Sequence, residues 1–245
     1  MAERPVFISN RNENDYVKVK NIEFEWFPGF SVKQKQKSVE SLHQNIRKRY
    51  PTLNVLEVSS KSNKELGVAL SAFNLMIRTK NDKVFSVETA FQASKVFEFG
   101  GPFVDLYEKT SKDAKKDSRI KNSGKLLYFQ FFSRRWGLEP KTMFYDWLYI
   151  NALSKNNELS KQVIEFDAFT DIEFNPQKSI NCQARSVALY VSLYRSNLLH
   201  NALLSVDNFK VIVFQKENKF EEERKVEEDL KIDQLSIFDE TINEK

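Results

Sequence analysis

The first 30 residues carry the hydrophobic and polar pattern of short strands. Arg4–Ile8 and Val17–Trp26 are rich in Val, Ile and aromatic residues, and Asn10–Asp15 supplies turn-forming residues between them. Two such runs separated by a turn are typical of a β-hairpin. The sequence therefore predicts a hairpin at the N-terminus.

A basic amphipathic helix is predicted to follow this hairpin. Ser31 is a suitable N-cap, and Pro51 ends the helical pattern after about Tyr50. The apolar residues that fall near helical spacing are Val32, Val39, Leu42 and Ile46. Residues 54–59 are a further strand candidate, whereas residues 66–85 are mixed apolar sequence that periodicity does not assign.

Helices dominate the prediction from Ser86 onward. The spacing of apolar residues predicts them over residues 86–99, 103–117, 121–134, 142–155, 157–165 and 183–200. Gly100–Pro102, Gly137–Pro140 and a polar loop at residues 167–182 separate them. Residues 206–214 (VDNFKVIVF) predict a closing strand. The expected fold class is α+β: a helix-rich single domain with a small amount of β structure.

Composition supports a packed intracellular domain. Hydrophobic residues make up 41% of the 245 residues, and the 21 Phe, 8 Tyr and 3 Trp add bulk to a core. The single cysteine, Cys182, excludes an intramolecular disulfide and a cysteine-rich zinc site. No apolar run approaches the roughly 18 residues of a membrane span, and no export signal is visible. We expect a cytoplasmic protein without a metal or a cofactor.

Charge is distributed unevenly along the chain. Residues 1–214 hold 32 Lys or Arg against 23 Asp or Glu, whereas residues 215–245 hold 6 against 11. A basic body favours a polyanionic partner such as nucleic acid. Nine basic residues lie between Lys109 and Arg135, and Lys115, Lys116 and Arg119 are the DNA-binding candidates. The alternative is a solvated pair of helices.

The acidic tail, residues 215–245, is predicted to be disordered because it has few large apolar residues. Within it, Gln234, Leu235 and Phe238 resemble a short peptide that binds the sliding clamp of replicating DNA. An inert, solubilising extension is the alternative.

One predicted helix carries a polar stripe on an otherwise apolar surface. Glu88, Gln92 and Lys95 are spaced i, i+4 and i+7, so they lie on one side of the segment that follows Ser86, a suitable N-cap. Buried polar groups need partners or a cavity, and we therefore expect the stripe to line a pocket. The alternative is a Glu88–Lys95 ion pair that only stabilises the helix.

A second candidate lies in the polar loop that precedes the helix at 183–200. Ionisable and amide side chains are concentrated there: Asp171, Glu173, Asn175, Lys178, Asn181 and Gln183. Binding groups often occupy rigid polar loops. A solvated surface loop built on turn-forming Asn and Asp residues is the alternative.

Together these segments resemble the NADAR family, also called YbiA-like. The family hallmark is a Ser-x-Glu-x-x-x-Gln-x-x-Lys helix preceded by a segment with Ser and Phe, here Ser71 and Phe73 before Ser86. The closer match is to the branch that accompanies DarT-type toxins. RPVF, WFPGFS, QKQKS, SSKS, SAFNL, SVETAFQASKVFE, GGP, DLY, FYDWLY, DAFTDIEFNP and KSINCQA recur in that order over about residues 4–200.

The resemblance implies a NADAR-type α+β fold and a defined activity. The expected enzyme is an N-glycosidase that removes ADP-ribose from guanine bases in DNA and acts as the antitoxin of a DarT-type ADP-ribosyltransferase. An N-glycosidase of small ribosylamino metabolites and a non-catalytic ADP-ribose or DNA binder remain alternatives. Residues 1–66 would then form a hairpin-and-helix segment packed on a catalytic domain of residues 67–214.

Roles follow from what cleavage of an N-glycosidic bond requires, namely a carboxylate and a group that neutralises the leaving base. Glu88, Lys95 and Asp171 are the catalytic candidates. Lys95 would either form an imine with ribose or pair with the diphosphate. The substrate-binding candidates are Ser71, Phe73, Ser86, Gln92, Glu173, Asn175, Lys178, Asn181 and Gln183.

The chain departs from other NADAR proteins at two points of the pattern. They usually carry His after the motif Glu, where this chain has Thr89, and Trp-Gly near the second loop, where it has Phe174-Asn175-Pro176. Transfer of residue roles is therefore better supported for the first helix than for the loop.

Overall fold

The N-terminal strands form one side of a four-stranded sheet. The computed structural model describes residues 2–11 and 15–214. Strand β1 (Ala2–Ser9) pairs antiparallel with β2 (Val17–Phe24), which confirms the predicted hairpin. The strand order is β2-β1-β9-β3, where β3 (Val55–Glu57) lies parallel to β9 (Ala168–Thr170). The predicted strand at 54–59 is thus confirmed, whereas β9 lies in the segment predicted as loop.

Helix α1 (Val32–Arg49) forms part of the same core as this sheet, as its apolar spacing predicts. The Ser31 hydroxyl accepts a hydrogen bond from the backbone N–H of Gln34, which confirms the predicted N-cap. The buried side chains of this core are Val6, Ile22, Phe24, Val39, Leu42, Ile46, Val55, Ala168 and Ile172.

The segment that periodicity did not assign contains a short helix and a hairpin. Helix α2 (Glu65–Ala69) is followed by β4 (Met76–Arg78) and β5 (Val84–Ser86), which pair antiparallel. Gly67 in α2 permits a close contact, because a Cβ at this position would lie 2.0 Å from the backbone oxygen of Glu57. Helix α2 therefore passes directly over β3.

The predicted helix at 86–99 is shorter than its apolar content suggests. Helix α3 (Val87–Ala93) is buried at every position, which confirms that the segment has no ordinary solvent face. The chain then forms β6 (Lys95–Phe97), because these residues pair antiparallel with β7. Lys95 therefore lies on a strand just beyond the helix.

The predicted helix at 121–134 is wrong. Residues 126–131 form β7 (Leu126–Phe131), and β8 (Arg134–Trp136) completes a three-stranded sheet in the order β6-β7-β8. Aromatic residues favour a pleated surface, and the ladder with β6 decides between helix and strand for this short apolar run. The only helix nearby among the described residues is the four-residue α5 (Arg119–Asn122).

The predicted helix at 103–117 is interrupted. A 3₁₀ helix spans Val104–Glu108, and α4 spans Ser111–Lys116 with Thr110 as its N-cap. The Thr110 hydroxyl accepts a hydrogen bond from the backbone N–H of Asp113, so a new helix begins there.

The next helices along the chain agree with the prediction more closely. Helices α6 (Met143–Ser154) and α7 (Asn157–Val163) confirm the segments at 142–155 and 157–165. The single helix predicted at 183–200 is two, α8 (Gln183–Arg195) and α9 (Leu199–Leu204). Because strands and helices share one core, the α+β class is confirmed.

The chain divides into two compact units, one ending at His200 and one beginning at Asn201. In the second unit residues 206–214 are helical, so the predicted closing strand is wrong. Their β-branched and aromatic residues suggested a strand, but Val206, Phe209 and Val213 are spaced i, i+3 and i+7, which is helical spacing. Residues 215–245, with the predicted disorder and the clamp-binding candidate, lie outside the described residues.

Candidate functional site

The segment around Ser71 and Phe73 holds the start of α3. The backbone N–H of Glu88 donates to the carbonyl oxygen of Ala72 at 2.9 Å, and that of Val87 donates to Leu75 at 2.9 Å. The Ser86 hydroxyl accepts from the backbone N–H of Thr89 at 3.0 Å, which confirms the predicted N-cap. Glu88 is consequently fixed in the first turn.

The polar side chains of the predicted stripe, two on α3 and Lys95 at the start of β6, form a continuous hydrogen-bonded row. Gln92 Nε2 donates to Glu88 Oε1 at 2.9 Å, and Lys95 Nζ donates to Gln92 Oε1 at 2.8 Å. Gln92 thus lies between the carboxylate and the ammonium group. A different cation, Lys115 of α4, approaches Glu88 Oε1 at 3.7 Å.

Lys95 is held in an environment that weakens its protonation. Burial lowers the pKa of its ammonium group to about 8, and Lys115 lowers it further in opposition to the attraction of Glu88. Its Nζ also lies 4.9 Å from the centroid of the Phe91 ring. A fraction of Lys95 is therefore a neutral amine near neutral pH, as a nucleophilic lysine requires.

Asp171 follows β9 and faces a second buried carboxylate. Burial and the neighbouring charge of Glu57 raise the pKa of Asp171 well above its usual range. Burial likewise raises the pKa of Glu57. The backbone N–H of Glu173 donates to Asp171 Oδ1 at 3.0 Å and opposes the shift. A carboxyl group in this state can donate a proton near neutral pH.

Glu57 is a residue that the sequence analysis missed. Its carboxylate accepts from Ser59 Oγ at 2.6 Å, from Thr170 Oγ1 at 2.6 Å and from the backbone N–H of Ile172 at 2.8 Å. Thr170 and Ile172 flank Asp171, so Glu57 fixes the backbone on both sides of that residue. The available signal was a Glu between Leu56 and Val58 in a predicted strand.

Gln183, at the start of α8, joins the two candidate segments. Its Oε1 accepts from the backbone N–H of Ala72 at 2.7 Å, and its side chain is also hydrogen-bonded to Asp171. Helix α8 is anchored in turn by Arg185 and Ser186, which contact Asp146 at 2.5 and 2.6 Å. Gln183 therefore positions the site in addition to bordering it.

The hydrogen-bonded row of Glu88, Gln92 and Lys95, together with Asp171 and Gln183, lines one cavity of about 1020 Å³. The sequence-predicted residues that border it are Ser71, Phe73, Glu88, Gln92, Lys95, Asp171, Glu173, Asn175, Lys178, Asn181 and Gln183. The volume lies at the upper end of the usual range for small-molecule pockets, roughly 300–1,000 Å³. The structure thus brings together two segments that are about 80 residues apart.

Two features of the cavity wall suit an anionic, hydroxyl-bearing ligand. The described lining residues include six lysines, namely Lys61, Lys95, Lys112, Lys115, Lys141 and Lys178. The Ser71 hydroxyl is buried at the wall without a hydrogen-bond partner. Buried hydroxyls rarely remain unpaired, so Ser71 is a polar group of the cavity wall whose bonding capacity is not used within the described residues.

The model of the DarT1-associated NADAR antitoxin family matches residues 2–223 of the chain. The chain belongs to this family. The match covers most of the sequence and confirms the resemblance to the DarT-associated branch. No curated protein sequence matches the chain. Membership of this antitoxin family implies pairing with a DarT-type toxin.

Some candidate residues of this NADAR antitoxin lie outside the main cavity. Ser86 borders a second cavity of about 450 Å³, which the main cavity meets at Phe73. Of the DNA-binding candidates, Lys115 lines the main cavity, whereas Lys116 and Arg119 line neither. Arg119 is bound to Asp105 and Asp117, with contacts of 2.7–3.1 Å, and is therefore part of a surface ion-pair network.

Two further features of the described residues concern metal binding and membrane insertion. Within residues 2–11 and 15–214, no group of three His, Cys, Asp or Glu side chains is placed to hold a metal ion. The same residues include no helix whose length and hydropathy would allow it to cross a bilayer. Cys182 is buried, and burial raises the pKa of its thiol.

Proposed function

We propose that this NADAR antitoxin hydrolyses the N-glycosidic bond between ADP-ribose and a guanine base of DNA, and so reverses modification by its partner DarT-type toxin. The observation that carries the proposal is that Glu88, Gln92, Lys95 and Asp171 all border one cavity of about 1020 Å³. The family membership supports the antitoxin role, and the substrate and the bond are those that the resemblance to the NADAR family implies.

The lining suits each part of ADP-ribose. Lysine ammonium groups bind the diphosphate as point charges, and six of the described lining residues are lysines. Phe73, Phe129 and Tyr145 offer aromatic surface for a base, and the unpaired Ser71 hydroxyl can bond to a ribose hydroxyl. The modified guanine would enter the cavity out of the DNA stack, as bases do in other enzymes that act on them.

In the proposed reaction, the bond between the anomeric carbon and the base nitrogen breaks, and its electron pair passes to guanine. Positive charge develops on the ribose and is stabilised by the Glu88 carboxylate. Asp171, whose pKa is raised, donates a proton to the departing base. Water supplies the oxygen that adds to the anomeric carbon and loses a proton to Glu88.

Lys95 can act in one of two ways, and an experiment distinguishes them. As a neutral amine it would attack the anomeric carbon, expel guanine and form an imine after the ribose ring opens, and water would then hydrolyse that imine. As a cation it would bind the diphosphate. Cyanoborohydride added during turnover would reduce the imine and leave ADP-ribose covalently attached to Lys95, which mass spectrometry detects. Phosphate binding alone leaves Lys95 unmodified.

The decisive assay uses an oligonucleotide carrying ADP-ribosylated guanine. Incubation with the protein should release free ADP-ribose and restore intact guanine DNA, both measured by liquid chromatography and mass spectrometry. Binding of the oligonucleotide without release of ADP-ribose would contradict the proposed hydrolase activity. It would support an antitoxin that shields the modified guanine. Release from ribosylamino metabolites but not from the oligonucleotide would support a small-molecule glycosidase.

A further inference from the structure

The second cavity, of about 450 Å³, adjoins the main one at a single aromatic residue. Phe73 borders both cavities. Its carbonyl oxygen lies 2.8 Å from Ser111 Oγ, which also lies 2.7 Å from Ser86 Oγ. The backbone of this shared wall is therefore anchored to α4 and to the start of α3. A fixed wall between two cavities separates two occupants at a defined spacing.

The lining of the second cavity combines aromatic surface with basic groups. Phe85 and Tyr107 lie with ring centroids 4.5 Å apart, and Phe85 is 4% exposed, so they form an apolar floor. Lys83 and Lys109 border the cavity with exposed side chains, and Lys109 is also paired with Asp117 at 3.4 Å. Aromatic faces and lysines together recognise a base and its phosphate.

One carboxylate borders the same cavity. Glu108 has an exposed side chain on the 3₁₀ helix. A carboxylate disfavours a phosphate in its immediate vicinity but accepts hydrogen bonds from the amino groups of cytosine and of other bases. The lining therefore offers groups that suit an apolar ring, an amino group and a phosphate.

We propose that the second cavity binds the nucleotide next to the modified guanine in the same DNA strand. The inference rests on the proposed function, because that function places the modified nucleotide in the main cavity. A DNA strand continues from that nucleotide, and Phe73 borders both cavities. The neighbouring base must be unpaired to enter, so the substrate is locally single-stranded.

Two substitutions test the second cavity without altering the main site. Val104, 63% exposed at the second cavity, is replaced in Val104→Trp, and Lys83 is replaced in Lys83→Glu. Matched controls are Val19→Trp, at a valine 50% exposed on β2, and Lys20→Glu on the same strand. Neither control residue lines the described cavities.

The variants are compared on two substrates, a modified single-stranded oligonucleotide and the modified nucleoside alone. Val104→Trp would fill the cavity and Lys83→Glu would repel the phosphate, so each should weaken binding of the neighbouring nucleotide and raise KM by roughly tenfold, the lower part of the range for one stacked base. We expect Val104→Trp and Lys83→Glu to raise KM for the oligonucleotide by about that factor and to leave both kinetic constants for the nucleoside unchanged. KM values equal to those of the controls would overturn the proposal.

A binding measurement separates this inference from the proposed function. Affinity for an unmodified single-stranded oligonucleotide, measured by fluorescence anisotropy, should fall about tenfold in Val104→Trp relative to Val19→Trp. If the wild-type protein hydrolyses neither substrate, the proposed function fails, whereas this difference in affinity still tests the second cavity. Equal affinities in Val104→Trp and Val19→Trp would refute the inference whatever the activity.

Discussion

The Glu57 carboxylate accepts a hydrogen bond at 2.8 Å from the backbone N–H of Ile172, the residue that follows Asp171. Both residues are buried, and Glu57 also binds the side chain of Thr170, on the other side of Asp171. Glu57 therefore acts on the site in two ways. It fixes the position of Asp171, and its charge raises the pKa of that carboxyl group.

We expect Glu57→Gln to lower the pKa of Asp171, because the neighbouring negative charge is lost. Carboxyl ¹³C chemical shifts followed against pH measure this change directly. The exposed Glu23 on β2 provides the control Glu23→Gln. An unchanged titration of Asp171 in Glu57→Gln would show that burial alone sets its pKa.

The raised pKa of Asp171 also predicts how the free energy of unfolding depends on pH. The pKa of the Asp171 carboxyl group is 3.8 in the unfolded chain and is raised in the folded state, so the folded state holds this proton more tightly. The free energy of unfolding should therefore fall as pH rises above 3.8. Asp171→Asn should flatten this slope over the same range. Urea unfolding at a series of pH values measures it, and parallel slopes in the two proteins would contradict the prediction.

Lys95 should titrate with a pKa of about 8, and two neighbours should move it in opposite directions. Glu88→Gln removes an attractive charge and should lower this pKa, whereas Lys115→Ala removes a repulsive one and should raise it. The rate of acylation of Lys95 by an amine reagent, followed by mass spectrometry against pH, reports the midpoint. A midpoint near pH 10.5 in the wild-type protein would show that Lys95 is not a buried, partly neutral amine.

Glu88→Gln should keep the fold and reduce release of ADP-ribose by at least about a hundredfold, which is the usual contribution of an acid–base group. The substituted amide can still accept a hydrogen bond from Gln92 Nε2, so the row of side chains need not rearrange. Circular dichroism checks folding, and single-turnover assays with the modified oligonucleotide measure the rate. Turnover at the wild-type rate would remove Glu88 from the mechanism.

Substitution of Lys115 should change DNA binding, whereas substitution of Arg119 should change stability. Lys112→Ala and Lys115→Ala, at the cavity wall, should each reduce the slope of log affinity against log salt by about 0.7, the value for one phosphate contact on a single strand. Arg119 is bound to Asp105 and Asp117, so Arg119→Ala should lower Tm because the side-chain ion pairs with these two carboxylates are lost. Lys116→Ala is the control for Tm. A slope unchanged in Lys112→Ala and Lys115→Ala would favour a purely solvated surface.

Gly67→Ala should destabilise the protein by about 1–3 kcal/mol, the usual cost of an added methyl group without space. Its Cβ would lie 2.0 Å from the Glu57 backbone oxygen and 2.3 Å from Ser62 Oγ. At Gly137 the nearest atom would lie 3.4 Å away, an ordinary contact, so Gly137→Ala is the matched control. Denaturant unfolding measures both, and equal stabilities of the two variants would contradict the close contact.

Local sequence signals determined the elements that need only local interactions. Ser31 and Ser86 cap helices as predicted, since a cap depends on a hydrogen bond within one turn. Segments 142–155 and 157–165 were helical for the same local reason. The stripe of Glu88, Gln92 and Lys95 was also visible, because polar residues at helical spacing on an apolar segment stand out.

The β1–β2 hairpin was predicted because its strands are adjacent along the chain, but pairing between distant strands was beyond the sequence. Residues 95–97 continue an apolar run, and only the ladder with residues 126–131 makes both segments strands. An apolar run of this length fits a helix or a strand equally well until its partner is known.

The sequence by itself determined the α+β class, the family and most of the residue types that the cavity uses. The tertiary structure alone decided that Asp171 lies beside Glu57, 114 positions earlier, because β3 and β9 are neighbours in one sheet. It also decided that Gln92 lies between Glu88 and Lys95 and that Phe73 divides two cavities. Charges act over a few ångströms, so the pKa values of the site depend on packing that no local pattern records.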